Sequence, residues 1–273
     1  MEPILEIRDL CVDFYSRGRV SPAVRGISFD LKKGEILAVV GESGSGKSVT
    51  SQALVGLLPG APGCCVRGSV KLEGREILGL PERELRKIRG REIAYIFQDP
   101  LSSLNPVYTV GWQIDEALRL HVPALKTAKA RRERVREVLS AVGVNPDLAD
   151  SFPHQFSGGM QQRVMIAMAL ACEPKILVAD EPTTALDVTI QRQIMELLLA
   201  LRDRFEMSVL LITHNFGIVA QTADRAVVLF RGEKIEEGSA FEVISNPKQD
   251  YTRSLLACVP RLKFPALQKS GLS

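Results

Sequence analysis

No stretch of this 273-residue chain is apolar for long enough to cross a bilayer. The apolar run Met165 to Cys172 falls far short of the ~20 residues that a spanning helix needs. The start, Met1-Glu2-Pro3-Ile4-Leu5-Glu6, is mixed and acidic, without the basic and then apolar segments of a secretion signal. Any membrane association is therefore expected to come through a partner. Five cysteines, Cys11, Cys64, Cys65, Cys172 and Cys258, show neither metal-ligand spacing nor a disulfide framework. That fits a reduced, cytosolic setting. The formal charge of +3 is too small to argue for nucleic acid on its own. There is no internal repeat, no low-complexity segment and no coiled-coil heptad run. What is present, 45% hydrophobic and 25% charged residues, is the composition of a globular chain with a core. Its length fits one large domain, or one domain with an inserted subdomain.

The most informative stretch is Gly41-Glu42-Ser43-Gly44-Ser45-Gly46-Lys47-Ser48, which fits the phosphate-loop pattern G-x-x-x-x-G-K-[ST]. The apolar run Ile36-Leu37-Ala38-Val39-Val40 before it reads as a buried strand, and Val49 to Leu57 after it as a helix. The glycines let the backbone turn tightly and bring N–H groups onto phosphate oxygens. The helix adds its positive end to the same spot. Lys47 can reach the β- and γ-phosphates, and the Ser48 hydroxyl is placed to hold Mg²⁺. A Gly/Ser-rich surface turn would lack these flanks, so the chain is expected to bind a nucleoside triphosphate.

Taken in order, Ile4 to Phe14 alternates as a strand, and two more follow at Gly26 to Leu31 and Glu35 to Val40, joined by the turn Lys32-Lys33-Gly34. Phe14 and Tyr15 stand where a ring could stack on adenine or simply cover a sheet face. Pro59 to Gly68 reads as a breaker-rich loop carrying Cys64 and Cys65. A hairpin over Gly68 to Leu78 follows, turning at Glu73-Gly74. After a short helix from Pro81 to Ile88, the strand Glu92 to Phe97 runs into Gln98-Asp99-Pro100. Gln98, at the end of a buried strand, could sense Mg²⁺ or position water; a plain loop residue is the alternative.

From Thr109 to Ala171 the pattern turns helical, with Val135, Val138, Leu139 and Val142 on one face. The basic residues Lys126, Lys129, Arg131, Arg132, Arg134 and Arg136 occupy other positions and read as a solvated face rather than an anion-binding one. Ser157, ahead of Gly158 and Gly159, is a good N-cap, and the glycines leave that helix start open to an anion. The strand Ile176-Leu177-Val178-Ala179 ends in Asp180-Glu181. Asp180 is placed to hold Mg²⁺ through its water shell, and Glu181 to polarise a water for attack on the γ-phosphate. An N-cap role for this pair is less natural before Pro182. Thr183-Thr184-Ala185-Leu186-Asp187 leads into an amphipathic helix. The core strand Ser208 to Thr213 ends at His214, a position where parallel sheets bind ligands; His121 and His154 lack such a placement. Arg225 to Glu237 reads as a hairpin, and Tyr251 to Ala257 as a helical piece of the tail.

Assembled in order, the phosphate loop, Gln98, Ser157-Gly158-Gly159-Met160-Gln161, Asp180-Glu181, Ala185-Leu186-Asp187 and His214 resemble the ATP-binding subunit of an ABC transporter over roughly residues 4 to 260. The resemblance implies an α/β fold: a P-loop NTPase core with a RecA-like parallel sheet, an N-terminal antiparallel β subdomain and an inserted helical subdomain. It implies one ATP-binding domain over residues 1–250, its helical subdomain at about 100–172, and a short tail over 251–273. ATP and Mg²⁺ are the implied ligands, the metal held by Ser48, Gln98 and Asp180. Two subunits would close head to tail, so that Ser157, Gly158 and Gly159 of one face the γ-phosphate on the Lys47 loop of the other. Glu181 would be the general base, His214 a γ-phosphate contact and Asp187 the coupling between sites. Phe14 would stack on adenine, with Tyr15 in reserve, and the segment around Asp99 to Val110 would dock a permease coupling helix.

The phosphate loop Gly41 to Ser48, Phe97-Gln98-Asp99-Pro100-Leu101-Ser102-Ser103-Leu104-Asn105-Pro106, Pro153-His154-Gln155-Phe156-Ser157-Gly158-Gly159-Met160 and Tyr251-Thr252-Arg253-Ser254-Leu255-Leu256 are similar to the oligopeptide, dipeptide and nickel importer branch. That implies a peripheral subunit on the cytoplasmic face of the inner membrane. Its implied partners are a second identical or homologous ATPase and two integral permease chains, with an extracytoplasmic solute-binding protein acting indirectly and no nucleic acid. Three features depart from the common patterns, two from those of the branch and one, Phe156, from those of many ABC transporters. No cysteine-rich stretch follows Cys258, so no iron–sulfur cluster is expected; Phe156 stands where leucine is common, and Asn215 where an acid is usual. The alternatives are a soluble ABC-type ATPase acting on DNA or ribosomes, and an exporter subunit.

Overall fold

The computed structural model describes residues 2–16, 18–99, 103–183 and 186–257. Its strands are β1 (Pro3–Ser16), β2 (Arg19–Lys32), β3 (Ile36–Val40), β4 (Cys64–Leu72), β5 (Arg75–Glu76), β6 (Ile93–Ile96), β7 (Ile176–Asp180), β8 (Ser208–Thr213), β9 (Arg225–Phe230) and β10 (Glu233–Ser239). They form two sheets. The first is antiparallel, in the order β2-β1-β4-β5, and the second runs β10-β9-β3-β8-β7-β6. In the second sheet β9, β3, β8, β7 and β6 are parallel and only β10 is antiparallel to its neighbour.

The apolar patterns explain this layering. Every residue of β3, β7 and β8 is buried, which requires cover on both faces of the sheet. One face, through Leu37, Val39, Val178, Leu210 and Ile212, packs on Leu5, Ile7, Phe29 and Val70 of the antiparallel sheet. The other, through Ile36, Ala94, Leu177, Ala179 and Leu211, packs on the helices Val110–His121, Ala128–Ala141, Gly158–Leu170 and Val188–Phe205. Val135, Val138, Leu139 and Val142 are buried together in that second cluster, as their spacing predicts. This is the expected α/β architecture with its antiparallel subdomain and inserted helical block.

The turn Lys32-Lys33-Gly34 joins its two strands but carries the chain out of one sheet and into the other. Lys32 pairs with Pro3, whereas Ile36 pairs with Val209. The reason is burial: β2 keeps an exposed face, while β3 has none. One expectation needs correction. Cys64 and Cys65 lie in β4, paired with Phe14 and Asp13, rather than in a loop. Pairing with the long β1 starts β4 directly after the breakers, at Cys64, and carries it on through Gly68. The segment Pro100 to Ser102, the pair Thr184-Ala185, and Cys258 onward lie outside the described residues.

An ion network ties the two sheets together. Arg225 of β9 lies 3.0 Å from Glu35, 3.8 Å from Asp30 of β2, and also pairs with Glu237 of β10. Glu35 is buried, so removing its cation leaves an uncompensated charge. Arg225→Met is expected to destabilise the fold by about 3–5 kcal/mol, read as a lower urea midpoint. An unchanged midpoint would mean that solvent already screens Glu35.

Candidate nucleotide-binding site

β3, β8, β7 and β6 are neighbours in that order, and their C-terminal ends bring distant residues together. The tip of β3 delivers the loop from Gly41 to Ser48, that of β8 His214, that of β7 Asp180 and Glu181, and that of β6 Gln98. The ends of parallel strands are where open α/β sheets bind ligands. An open cleft of about 710 Å³ lies here, lined by Gly41, Glu42, Ser43, Gly44, Gly46, Lys47, Ser48 and Val49, with Gln98, Glu181 and His214 opposite.

The loop geometry requires two of its glycines. Gly46 has φ +101°, and a Cβ there would come within 2.7 Å of the Ala23 carbonyl oxygen. At Gly41, φ is +154° and a Cβ would run into the Leu229 carbonyl. Helix Lys47–Leu54 begins at Gly46 with no side-chain cap, leaving its first N–H groups for an anion. Inside the loop, the buried Ser45 Oγ has no hydrogen-bond partner among the described residues. Lys47 is buried as well, its Nζ donating to the carbonyls of Gly41 (2.9 Å) and Glu42 (2.8 Å). Burial lowers its pKa, against the opposing pull of Glu181 and Asp180.

Ser48 Oγ donates to Asp180 Oδ1 at 2.9 Å. A hydroxyl and a carboxylate at the mouth of a phosphate loop are hard oxygen donors, a set that fits Mg²⁺ shared with phosphates. Burial raises the pKa of Asp180, while hydrogen bonds from Tyr95 and Ser48 hold it down. Glu181 adopts the left-handed conformation (φ +47°) while its N–H donates to the Ile212 carbonyl at 2.9 Å. Such backbone is costly for a residue with a Cβ and tends to be kept at functional sites. Here it turns the carboxylate toward two partners, Nδ1 of His214 at 3.1 Å and Nε2 of Gln98 at 3.2 Å. Neither acid caps a helix; Asp187 caps the one that follows, accepting from the Ile190 N–H at 2.9 Å.

Other expected site residues lie elsewhere. Ser157 caps helix Gly158–Leu170, and Ser157 and Gly158 are exposed, with neither of them nor Gly159 among the residues lining the cleft. A Cβ at Gly159 would come within 3.0 Å of Ile190, so this helix start lies against the one that Asp187 caps. Phe14 is half-buried against the core between the sheets, and Tyr15 is exposed. Phe156 is buried in the helical core, where an apolar side chain of either shape serves.

Several residues reach or support the cleft that the sequence does not assign to it. Asn215 lines the cleft and caps helix Phe216–Thr222, its Oδ1 accepting from the N–H groups of Gly217 (2.9 Å) and Ile218 (3.3 Å). An Asn just before an apolar helical run is a readable N-cap signal, and it gives this departure a physical role. Leu255 also lines the cleft, and the Tyr251 hydroxyl accepts from the Glu42 N–H at 3.3 Å. Their distance from the loop in sequence hides this. Tyr95 and Ser51, beneath Asp180, likewise carry no sequence signal.

The fold and this cleft are those of a P-loop nucleotide-binding domain. The chain belongs to the ABC transporter family, whose profile matches residues 24–184. It is an ABC ATP-binding domain, and so an ATPase. It is 50% identical to the oligopeptide transport ATP-binding protein OppD of Bacillus subtilis over 262 residues, 95% of this chain and 73% of that one. The dipeptide transport ATP-binding protein DppD of the same organism is 50% identical over 265 residues, 96% of this chain and 78% of its own. Among solved structures, a dimeric ATP-binding cassette in a post-hydrolysis state bound to ADP and Pi superposes with TM-score 0.77 at 29% identity, covering 86% of this chain and 98% of that one.

Proposed function

We propose that this chain is the ATP-hydrolysing subunit of an importer that takes up di- and oligopeptides through a separate membrane permease. The observation that carries the hydrolytic part is the meeting of the Lys47 loop, Ser48–Asp180 and Glu181–His214–Gln98 at the ends of four adjacent strands. The peptide assignment draws on the likeness to the peptide transport subunits. The chain has one cassette over residues 1–250, with a helical subdomain at about 100–172.

In this reading Lys47 and the loop N–H groups bind the β- and γ-phosphates, while Ser48 and Asp180, with Gln98, hold Mg²⁺. The metal supplies charge neutralisation at the phosphates when bound. Glu181 accepts the proton of the attacking water, and His214 orients that carboxylate and contacts the γ-phosphate. Phe14, half-buried on β1 and outside the cleft lining in this structure, is the residue we assign to adenine stacking. A second copy or a homologous subunit closes head to tail, bringing its exposed Ser157 and Gly158, with the half-buried Gly159, to the γ-phosphate, with Asp187 coupling the two sites. Closure moves a two-state permease because ATP binds the closed pair more tightly.

The segment around Asp99 to Val110 docks the permease at the cytoplasmic face of the membrane. Within it Val107 and Tyr108 are exposed, and beside it Phe97 and Trp112, with the Tyr108 and Trp112 rings stacked at 4.0 Å. Among the described residues no helix is long and apolar enough to cross a membrane. The basic face of helix Ala128–Ala141 is largely neutralised, which favours transport over nucleic acid. Arg131 pairs with Asp115, Arg132 with Asp150, Arg134 with Glu173 and Arg136 with Asp147.

The test is to tag the Glu181→Gln chain, add ATP, extract gently from native membranes and identify what co-purifies. Two multi-span proteins with a second ATPase are expected. Ribosomal proteins or nucleic acid without an integral membrane protein would overturn the proposal in favour of a soluble ATPase.

A further inference from the structure

A ring of close polar contacts lies beneath the cleft and starts and ends at Ser48. The Ser48 hydroxyl donates to Asp180 Oδ1 at 2.9 Å. The Tyr95 hydroxyl donates to the other oxygen, Oδ2, at 2.7 Å. Tyr95 Oη also lies 2.8 Å from Ser51 Oγ, and Ser51 Oγ lies 3.0 Å from the Ser48 carbonyl oxygen. Proton counting fixes the directions. Ionised Asp180 can only accept, so the single phenolic proton goes to it; Ser51 has one proton for the Ser48 carbonyl and the Tyr95 oxygen, so only one of those two contacts is a hydrogen bond at a time. The elements that hold this ring are rigid. Tyr95 sits on β6, whose register sets it opposite Val178, two residues before Asp180 on β7. Ser51 is one turn along the helix from Ser48 and is buried. The Tyr95 ring lies 4.6 Å from that of Phe97.

From this geometry we infer that Tyr95 is a positioning residue for the metal site: its hydroxyl fixes the Asp180 carboxylate against Ser48 and so sets the chain's affinity for Mg²⁺. The inference rests on the proposed reading of Ser48 and Asp180 as the Mg²⁺-holding pair. A carboxylate held at one oxygen can swing about that bond; held at both, it keeps the orientation the metal needs. Partners that orient metal ligands in this way contribute roughly 10–100-fold to metal affinity. Neither Tyr95 nor Ser51 lines the cleft, so neither should affect binding of the nucleotide itself.

Tyr95→Phe tests this because the ring and its packing remain while the hydroxyl goes. The full-length chain is titrated with a fluorescent ATP analogue in EDTA, and then with Mg²⁺ at fixed analogue. The expected result is metal-free affinity within about twofold of the parent and a Mg²⁺ midpoint raised about tenfold. Ser51→Ala should shift the midpoint in the same direction by less. A merely structural Tyr95 would change the thermal midpoint and leave the Mg²⁺ midpoint in place, overturning the inference. If Tyr95→Phe does not fold, Ser51→Ala decides, and an unmoved Mg²⁺ midpoint again overturns it. Asp180→Asn separates the two levels. If it too leaves the Mg²⁺ midpoint unmoved, the metal-site reading falls; if it alone shifts the midpoint, only the role of Tyr95 falls.

Discussion

Glu181→Gln is expected to bind ATP with near-parent affinity and to lose steady-state turnover by roughly 10²–10⁴-fold, the usual contribution of a general base. The carboxylate lies between His214 Nδ1 at 3.1 Å and Gln98 Nε2 at 3.2 Å. Glutamine has nearly the same shape and keeps one oxygen that can accept from either partner. It cannot take a proton from water, so the loss falls on the chemical step. The phosphate loop does not depend on this side chain: Lys47 is tied to the Gly41 and Glu42 carbonyls. The variant should therefore show a lowered kcat without a raised dissociation constant, the pattern of an interaction used only in the transition state. Phosphate release and equilibrium nucleotide binding measure the two halves separately. Normal turnover would remove Glu181 from the role of base, whatever its backbone conformation.

Lys47→Ala is expected to fail earlier, at binding. The ammonium is buried in the loop, so phosphate oxygens entering the cleft would meet a cation that solvent itself reaches little. Removing one partner of such a buried charge pair costs about 2–5 kcal/mol, a loss of affinity of about thirtyfold or more. Two loop carbonyls also lose their donor, so the loop's own shape relaxes. Calorimetric titration with ATP should show this weakening in the absence of Mg²⁺ as well as in its presence. An unchanged metal-free affinity would show that the backbone N–H groups bind the phosphates without the cation. The contrast with Tyr95→Phe is informative: one variant moves nucleotide binding, the other only its dependence on the metal.

How readable each feature was follows from how local its cause is. The phosphate loop requires a strand, positive-φ glycines and a helix start within a dozen consecutive residues, so its spacing shows it directly. Ser157 and Asp187 are legible for the same reason, since an N-cap bonds to backbone two or three residues ahead. Asn215 was equally readable in principle and is a cap of the same kind. Helix Ala128–Ala141 shows its buried face by period alone.

The extent of β4 was less legible, because pairing with β1 carries it across residues whose own preferences favour a loop. The path from β2 to β3 also depended on context: the turn is visible, but whether it closes a hairpin or changes sheets depends on what covers each face. Tyr95 is a strand residue by every local criterion, and nothing near it marks an acid 85 positions later as its partner.

The sequence by itself determined the chemical groups, the motifs that carry them and the kind of fold, since backbone conformation, capping and apolar period act over a few residues. Only the tertiary structure decided strand order, and with it the meeting of Gln98, Glu181 and His214, the ring through Tyr95 and Ser51, and the reach of Tyr251 and Leu255 to the cleft. The physical reason is that hydrophobic burial, which assembles these pieces, has no direction of its own. It rewards any arrangement that covers the apolar faces, and the one adopted emerges from packing the whole chain at once.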